Sequence, residues 1–405
     1  MASVRHALPN GHVITGEAVK GIKDLARLRL VTGLILILNS LMGVLGADWD
    51  IQWHAVVGRD RTFTPPHDLI LLAIALSGIV ALTSILIETS WARRQPELQA
   101  YSTDFMGLLH ASTGSYLIGF GAVCSAVAFP LDTYWHSLYG IDVSLWAPFH
   151  TMIYMGSVLS TFGMIYLLLS AAHLSEMQHD LWMTTRLSYA GVVALLGILL
   201  SKFSTFLTPA LSGHTIHFAS LTLSLFPFLM AFIAVFLCVL TVRLVPWTGT
   251  ATMMVLVFLF VFLLMSTSIP PLMSLLVQAE HETYLARATH IGSTIVPLMG
   301  QTPLLLLTAL SLDGIVWLGR RGKWLLTKQN VWGLVVAIIS MIVVAGFTLV
   351  QYSVRQRALQ GGIGRFFMLA FALEIALALL LTIPGSLLGN WLALTISKAI
   401  QTQRR

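Results

Sequence analysis

Long apolar runs constrain this chain more than any other feature of its sequence. A helix needs about 20 apolar residues to cross the hydrocarbon core of a bilayer, and runs of that length recur along the sequence. With 57% hydrophobic and 10% charged residues, the composition excludes an ordinary soluble globular protein. We therefore expect an all-α, polytopic transmembrane helix bundle of about ten spans built from helical hairpins. The expected spans cover roughly 28–47, 68–89, 105–130, 149–171, 187–209, 217–245, 250–276, 290–317, 331–352 and 365–390.

The basic residues indicate how the spans are oriented. Lysine and arginine outnumber aspartate and glutamate by 23 to 17, and most of them lie at span ends that share one side of the membrane. These residues are Lys20, Lys23, Arg27, Arg29, Arg93, Arg94, Arg320, Arg321, Lys323, Lys328, Lys398, Arg404 and Arg405. By the positive-inside rule that side is cytoplasmic, which predicts a multi-pass plasma-membrane protein with both termini inside. This distribution favours no nucleic-acid partner, and residues 1–27 contain no apolar segment typical of a cleavable signal peptide.

The chain divides into four expected regions. Residues 1–27 are expected to form a cytoplasmic N-terminal segment, and residues 28–171 a region of duplicated, metal-binding helical hairpins. A polar inner linker at 172–186 then separates the repeated part from the rest of the chain. Residues 187–405 are expected to form a C-terminal transmembrane bundle.

Two loops on the expected outer face repeat one polar pattern. The first copy consists of Asp50, His54 and Pro65-Pro-His67, and the second of Asp132, His136 and Pro148-Phe-His150. In each copy the aspartate and the first histidine are four residues apart, so they share one face if the preceding helix continues through them. The proline suits the first turn of the next helix and places the second histidine there. Each hairpin then brings together one carboxylate and two imidazoles, a ligand set that suits copper, zinc or non-haem iron.

Other interpretations of these loops stay open. A duplicated hairpin would keep the same pattern if its histidines and tryptophans only anchored helix ends at the membrane interface. We expect that anchoring role for Trp53 and Trp135. Asp60 and Asp142 follow the first histidine at the same offset in both copies. They either accept a hydrogen bond from a ligand imidazole or serve as turn residues in the loop.

The two patterns resemble the copper-binding segment of the C subunit of the particulate methane and ammonia monooxygenases. That subunit has one site spaced Asp-x3-His-x12-His, which the first copy matches. It has a second site spaced Asn-x3-His-x13-His, which the second copy matches except that Asp132 replaces the asparagine. The resemblance covers residues 45–155 and leaves most of the last helices without a counterpart. It implies copper sites near the outer face, association with other monooxygenase subunits in an oligomer, and oxidation of small, unreactive substrates by O2.

The sequence leaves the activity between several classes of protein. The first is a copper-dependent membrane monooxygenase or monooxygenase subunit, which would take electrons from a quinol or another donor and contact membrane lipid. The second is a membrane protein that transports or stores copper, with the two triads as successive binding stations. The same Asp/His/His triads would also suit a non-haem iron oxygenase. We favour the monooxygenase, and no catalytic residue is assigned beyond the metal ligands.

Further polar residues lie within or beside the expected spans. A charged residue inside a span is costly to bury, which marks Lys202 in the fifth span and Glu374 in the tenth as candidates. The two either pair with each other or act separately, Glu374 at a polar channel and Lys202 by extending to the interface. His110 is expected to pack inside the third span. A third metal or proton-handling site on the outer face would use His214, His217, His281 and His290.

Overall fold

The computed structural model confirms an all-α helical membrane bundle over the residues that it describes. These are residues 6–7, 13–14, 16–58, 63–140, 145–178, 180–211, 215–218, 221–224, 226–285, 302–322 and 365–402. The helices are α1 (Gly16–Val56), α2 (Pro65–Arg94), α3 (Thr113–Tyr139), α4 (Pro148–Glu176), α5 (Trp182–Leu211), α6 (Phe226–Leu244), α7 (Thr250–Ala279), α8 (Thr302–Gly322) and α9 (Arg365–Thr402). In this part of the chain, α1 to α5 and α7 are long and apolar enough to cross a membrane.

The other helices account for further expected spans. Helices α6 and α8 contain shorter apolar stretches at Leu229–Leu244 and Leu305–Gly319, and α9 covers the expected tenth span. The expected ninth span, 331–352, lies outside the described residues. The division into four regions stays a prediction, as do the kind of membrane and the side on which each terminus lies.

Short β-hairpins replace the start of two expected spans. The strand pairs are β1 (His6–Ala7) with β2 (Val13–Ile14), β3 (Thr103–Phe105) with β4 (Leu109–Ala111), and β5 (Thr215–Phe218) with β6 (Leu221–Ser224), all antiparallel. The start of the expected third span, 105–130, is therefore wrong, because α3 begins only at Thr113. The start of the expected sixth span, 217–245, is wrong for the same reason, since α6 begins at Phe226.

A tight turn explains why the third helix begins late. Gly107 adopts a φ of 71° and donates its N–H to the Asp104 carboxylate at 3.0 Å. A helix cannot continue through a turn of this geometry, so α3 starts after it. Ser112 then starts α3, because its side chain accepts a backbone N–H of the first helical turn. His110, expected inside the span, instead lies on β4, where its N–H donates to the Thr89 hydroxyl and its carbonyl accepts from the same hydroxyl. The placement of His110 in a helix is thus wrong.

A buried ion pair ties the first helices together at one end of the bundle. Helix α1 begins twelve residues before the expected first span, so Arg29 lies inside the helix and is fully buried. Its guanidinium contacts the Glu88 carboxylate at 2.7 Å and donates to the Ser170 hydroxyl at 2.6 Å and to the Tyr101 carbonyl at 2.8 Å. Glu88 also accepts the Ser112 N–H at 3.0 Å. One network therefore joins α1, α2, α4 and the start of α3.

Glycines bring α3 and α4 into backbone contact. A Cβ at Gly121 would overlap the carbonyl of Gly156, and a Cβ at Gly163 would overlap the carbonyl of Gly114. These two contacts are about two helical turns apart, so the two helices stay close over that length. Small residues permit this approach where lipid offers no hydrophobic driving force between helices. The tight α3–α4 hairpin holds the second Asp/His/His group in a narrow space.

Helix α5 lies at the centre of the described bundle and connects the repeated hairpins with the later helices. Leu195, Leu196 and Leu199 on this helix are fully buried, and α5 contacts α1, α4, α6 and α7. The end of α1 packs against α7, where Trp53 is 1% exposed in a cluster with Met265. The expectation that Trp53 anchors the helix at the membrane interface is wrong, because α7 covers the indole.

We predict that the Arg29 network stabilises the fold as a unit. Replacing Arg29 by methionine leaves the Glu88 carboxylate buried without its counter-ion, which we expect to cost about 3–5 kcal/mol. The double variant Arg29→Met/Glu88→Met removes both charges and should recover most of that loss. Thermal unfolding in detergent micelles, followed by circular dichroism, would measure the midpoints of the three proteins.

The matched control is Lys23→Met. Lys23 pairs with Asp180 at 2.6 Å on the surface, and an exposed pair contributes about 0–1 kcal/mol. An unfolding midpoint that falls as far in this control as in Arg29→Met would contradict a special role for the buried pair. A double variant less stable than the single one would do the same.

Candidate metal centre

The first Asp/His/His triad forms where α1 ends and α2 begins. Asp50 and His54 lie one turn apart because α1 remains helical to Val56, and their Oδ1 and Nε2 atoms are 3.5 Å apart. His67 lies in the opening turn of α2 after Pro65, and its Nε2 atom approaches the same Asp50 oxygen to 2.9 Å. The structure thus confirms that Asp50 and His54 share one helix face and that His67 lies in the first turn of the next helix. One carboxylate oxygen is thus shared by two imidazoles.

The second triad repeats this arrangement between α3 and α4. The Asp132 Oδ2 atom lies 3.3 Å from His136 Nε2 and 3.0 Å from His150 Nε2. The two histidine Nε2 atoms are 3.1 Å from each other. Asp132 Oδ1 is buried and accepts no hydrogen bond from the residues that the structure describes. Three ligand atoms therefore form a nearly equilateral triangle with a second carboxylate oxygen beside it.

This triangle has the size that a metal ion requires. Histidine and carboxylate donors lie about 2.0–2.1 Å from the ion that they bind. When the bond angle at the ion is octahedral or tetrahedral, two such donor atoms are about 2.8–3.4 Å from each other. The three separations in the second triad are 3.0, 3.1 and 3.3 Å, and the two Asp50 separations in the first are 2.9 and 3.5 Å. In each group the ligand atoms lie within 4.8 Å of one another. Both triads can therefore bind a metal ion, and their geometry does not select which one.

Two glycines end the odd helices in the same conformation. Gly58 and Gly140 follow the first histidine of each triad at the same offset, and their φ angles are 94° and 92°. This left-handed region favours glycine. At the second triad the turn brings the Gly140 carbonyl 3.2 Å from His136 Nδ1. A proton on Nδ1 donated to that carbonyl leaves the Nε2 lone pair facing the ligand triangle, which is the form a metal binds.

Comparison with known proteins adds no assignment to this geometry. No protein-family model, curated protein or solved structure matches the chain. The resemblance of residues 45–155 to a monooxygenase C subunit therefore stays a prediction. The capacity for metal rests on the two triads alone, because their spacing and donor types satisfy the requirement for a shared ion.

Both triads open into one cavity within the bundle. The cavity has a volume of about 810 Å³, in the range of small-molecule sites. It lies among α1 to α5, and its apolar lining includes Ile74, Phe129 and Met164. The edge of the Phe129 ring approaches His67 with 5.9 Å between ring centroids, so this α3 side chain contacts the first triad. One apolar chamber thus serves both groups of ligands.

Lys202 lines the same cavity from α5. It is 7% exposed, and its Nζ atom donates to the Ser157 hydroxyl at 2.8 Å and to the Thr161 hydroxyl at 2.9 Å. The expectation that Lys202 extends to the membrane interface is wrong, since α4 hydroxyls hold its ammonium inside the bundle. Glu374 lies on α9, but its side chain lies outside the described residues, so a pair between the two stays a prediction.

The other candidates form no additional site in the part of the chain that is described. Asp60, Asp142, His214 and His290 lie outside the described residues. His217 lies on β5. His281 is exposed after the end of α7 and belongs to neither group of metal-ligand atoms among the described residues. The third metal or proton-handling site stays a prediction.

Sequence reasoning missed the polar contacts that join the helices around the cavity away from the triads. Ser157 and Thr161 are one turn apart on α4, and Asn39 bonds the Ser77 hydroxyl at 2.8 Å between α1 and α2. Polar residues spaced four apart inside an apolar span are a usable signal, because such residues face one side of the helix. That signal predicts a polar face on α4. It does not predict that Lys202 contacts this face, because that contact depends on how α4 and α5 pack.

We predict that each triad binds one ion independently. Wild-type protein in lipid nanodiscs, loaded with copper and freed of excess by gel filtration, should retain two ions per chain, one for each group. His54→Ala and His136→Ala should each retain one, because each variant removes one of three protein ligands from one triad. Inductively coupled plasma mass spectrometry measures the ratio of metal to protein.

His110→Ala is the matched control. His110 lies on β4 at the opposite end of α3, so the variant should retain as much metal as the wild type. Equal copper content in wild type, His54→Ala and His136→Ala would show that the triads hold no metal.

Proposed function

We propose that the protein is a copper-dependent membrane monooxygenase, or the metal-binding subunit of one, that oxidises small apolar substrates with O2. One observation carries this proposal: two Asp/His/His triads open into a single, mainly apolar cavity inside a helical membrane bundle. An oxygenase for an unreactive substrate needs a metal beside a space that accepts an apolar molecule, and the mainly apolar surface of this cavity suits such a substrate.

The ligand set supports copper. Imidazole suits copper, and the Irving–Williams order favours Cu²⁺ over the other divalent first-row metals for a given site. Bound copper would supply the reduction of O2 that inserts one oxygen atom into a C–H bond and forms one water, with two electrons from a donor such as a quinol and two protons. Asp50 and Asp132 would each offset part of the ion's charge. Asp50, His54 and His67 would hold one ion and Asp132, His136 and His150 the other, each with fewer protein ligands than the ion can take.

The protein residues then position the substrate and exclude water. Ile74, Phe129 and Met164 line the chamber with apolar surface, which favours a hydrocarbon over water. Phe129 also contacts the ring of His67, so the substrate surface and a ligand side chain are held by the same α3 residue. The proposed substrate is therefore a small apolar molecule that enters from the lipid.

The family resemblance supports the same function. It also identifies Asp132 as the ligand position at which this chain differs from the family. Residues 45–155 resemble the copper-binding segment of the monooxygenase C subunit in both ligand spacings. Asp132 stands where that family has asparagine, and the added negative charge stabilises a higher charge on the ion. By the same resemblance we propose an oligomer with other subunits, a plasma-membrane location and triads on the outer face.

The cavity argues against copper transport as the main function. A cation that passed inward from the triads would meet the ammonium of Lys202, which lines the same cavity and is buried. Two positive charges in a low-dielectric surrounding repel each other strongly. The lysine thus opposes inward movement of copper along this cavity.

Oxygen consumption tests the proposed activity. Copper-loaded protein in nanodiscs, supplied with a short-chain quinol and a small alkane, should consume O2 and form the alcohol. His54→Ala or His136→Ala should lower product formation at least about tenfold, since three-ligand sites lose 10- to 100-fold on loss of supporting contacts and more on loss of a ligand. His110→Ala should retain the wild-type rate.

Two further measurements separate this function from its alternatives. Metal analysis of protein purified without added metal decides between copper and iron, and wild type that holds only iron or zinc would overturn the copper assignment. Copper uptake by proteoliposomes, with no alcohol formed from any alkane, would favour the carrier instead.

A further inference from the structure

Lys202 is a buried cation without a charged partner in the described part of the chain. Its ammonium donates to the Ser157 and Thr161 hydroxyls at 2.8 and 2.9 Å, and the Ser157 carbonyl oxygen is farther away, at 3.5 Å. Thr161 donates its own hydroxyl proton to the Ser157 carbonyl at 2.8 Å, so its oxygen lone pairs face the lysine. All of these partners are neutral. No carboxylate of the described residues forms an ion pair with Lys202.

A buried ammonium with only neutral partners needs an anion. The cost of taking a charge out of water is recovered only when an opposite charge and hydrogen bonds replace the water. The carboxylates that line the cavity are Asp50 and Asp132, and each lies within 3.5 Å of the two imidazoles of its own triad and forms no ion pair with Lys202. An ionisable residue inside a membrane bundle is by default a functional-site hypothesis. In the described part of the chain, this leaves a ligand as the source of the negative charge.

The lysine lies deep in the cavity, away from the triads. Ser157 and Thr161 follow His150 on α4 by about two and three helical turns, which corresponds to roughly 10 and 16 Å along the helix axis. Between these levels the lining is mainly apolar and includes Val44, Ile74 and Ala122. Lys202 and the metal-binding groups thus lie at different levels of the cavity, with mainly apolar walls between them.

We propose that Lys202 and Ser157 bind the carboxylate of a fatty acid, whose aliphatic chain lies in the cavity between the lysine and the two triads, while Thr161 orients the ammonium from behind. One ammonium and one hydroxyl match one carboxylate, which carries a single charge. A phosphate group carries more charge and is usually bound by several basic residues. Lys202 is the one lysine or arginine that lines this cavity in the described chain. The apolar walls match an alkyl chain, and the bilayer supplies such amphiphiles.

The proposed site needs no metal, so it is tested on metal-stripped protein. Full-length protein in nanodiscs of zwitterionic lipid would be incubated with radiolabelled oleate, and bound label would be measured by scintillation proximity. Lys202→Met should weaken oleate binding by about 10- to 100-fold, because a charge-assisted hydrogen bond to a buried ligand is lost. Lys202→Arg keeps the charge and should bind within a few-fold of the wild type. Lys23→Met removes a surface lysine and should have no effect.

Competition experiments on the wild type show which parts of the ligand the site recognises, even if Lys202→Met does not fold. Oleyl alcohol has the same chain without the charge and should compete with oleate at least tenfold less well on the wild type. Acetate has the charge without the chain and should not compete at millimolar concentration. Wild-type protein that binds no oleate, or binds oleyl alcohol equally well, would overturn the proposal.

Two other results would also overturn it. Acetate that competes as strongly as oleate would identify a site for small anions only. Oleate binding by Glu374→Gln but not by the wild type would identify Glu374 as the internal counter-ion of the lysine. The expected result is that Glu374→Gln binds oleate as the wild type does.

Discussion

The buried ion pair between Arg29 and Glu88 is the contact on which the first four helices depend. Lipid provides no water to solvate a charge, so each charge within the bundle needs partners from the protein. Arg29 finds them on α2, on α4 and before β3, while Glu88 also accepts a backbone N–H at the start of α3. One end of the bundle is fixed by charge, and the other end is left for the two triads.

The two repeated hairpins differ in how closely their helices pack. The α3–α4 pair is very close, because a Cβ at Gly121 would overlap the Gly156 carbonyl oxygen. The α1–α2 pair is less tight, since a Cβ at Gly46 would lie 3.2 Å from the Ile70 backbone nitrogen, and α1 also packs against α5 and α7. Similar ligand sets therefore arise from dissimilar packing. This difference is consistent with the triads being held by local sequence at the helix ends.

Local chemistry explains which features could be predicted from the sequence. The four-residue spacing of Asp50 and His54 and the proline before each second histidine act within one or two turns, so both triads could be predicted residue by residue. The partner of Arg29, the cover over Trp53 and the meeting of Lys202 with α4 depend on which helices pack together. No periodicity of a single segment contains that information. The β3–β4 hairpin before α3 was not predicted for a different reason. Its apolar residues follow the same composition as the neighbouring span, so they were included in that span.

The position of the triads at helix ends has a mechanical consequence. Each group takes two ligands from the last turns of one helix and the third from the first turn of the next, so a bound ion closes a ring through the connecting loop. Ring closure removes conformational entropy from that segment in the way that a cross-link does. Gain or loss of the ion would then stiffen or loosen the helix ends that carry the ligands, on one wall of the cavity that they line.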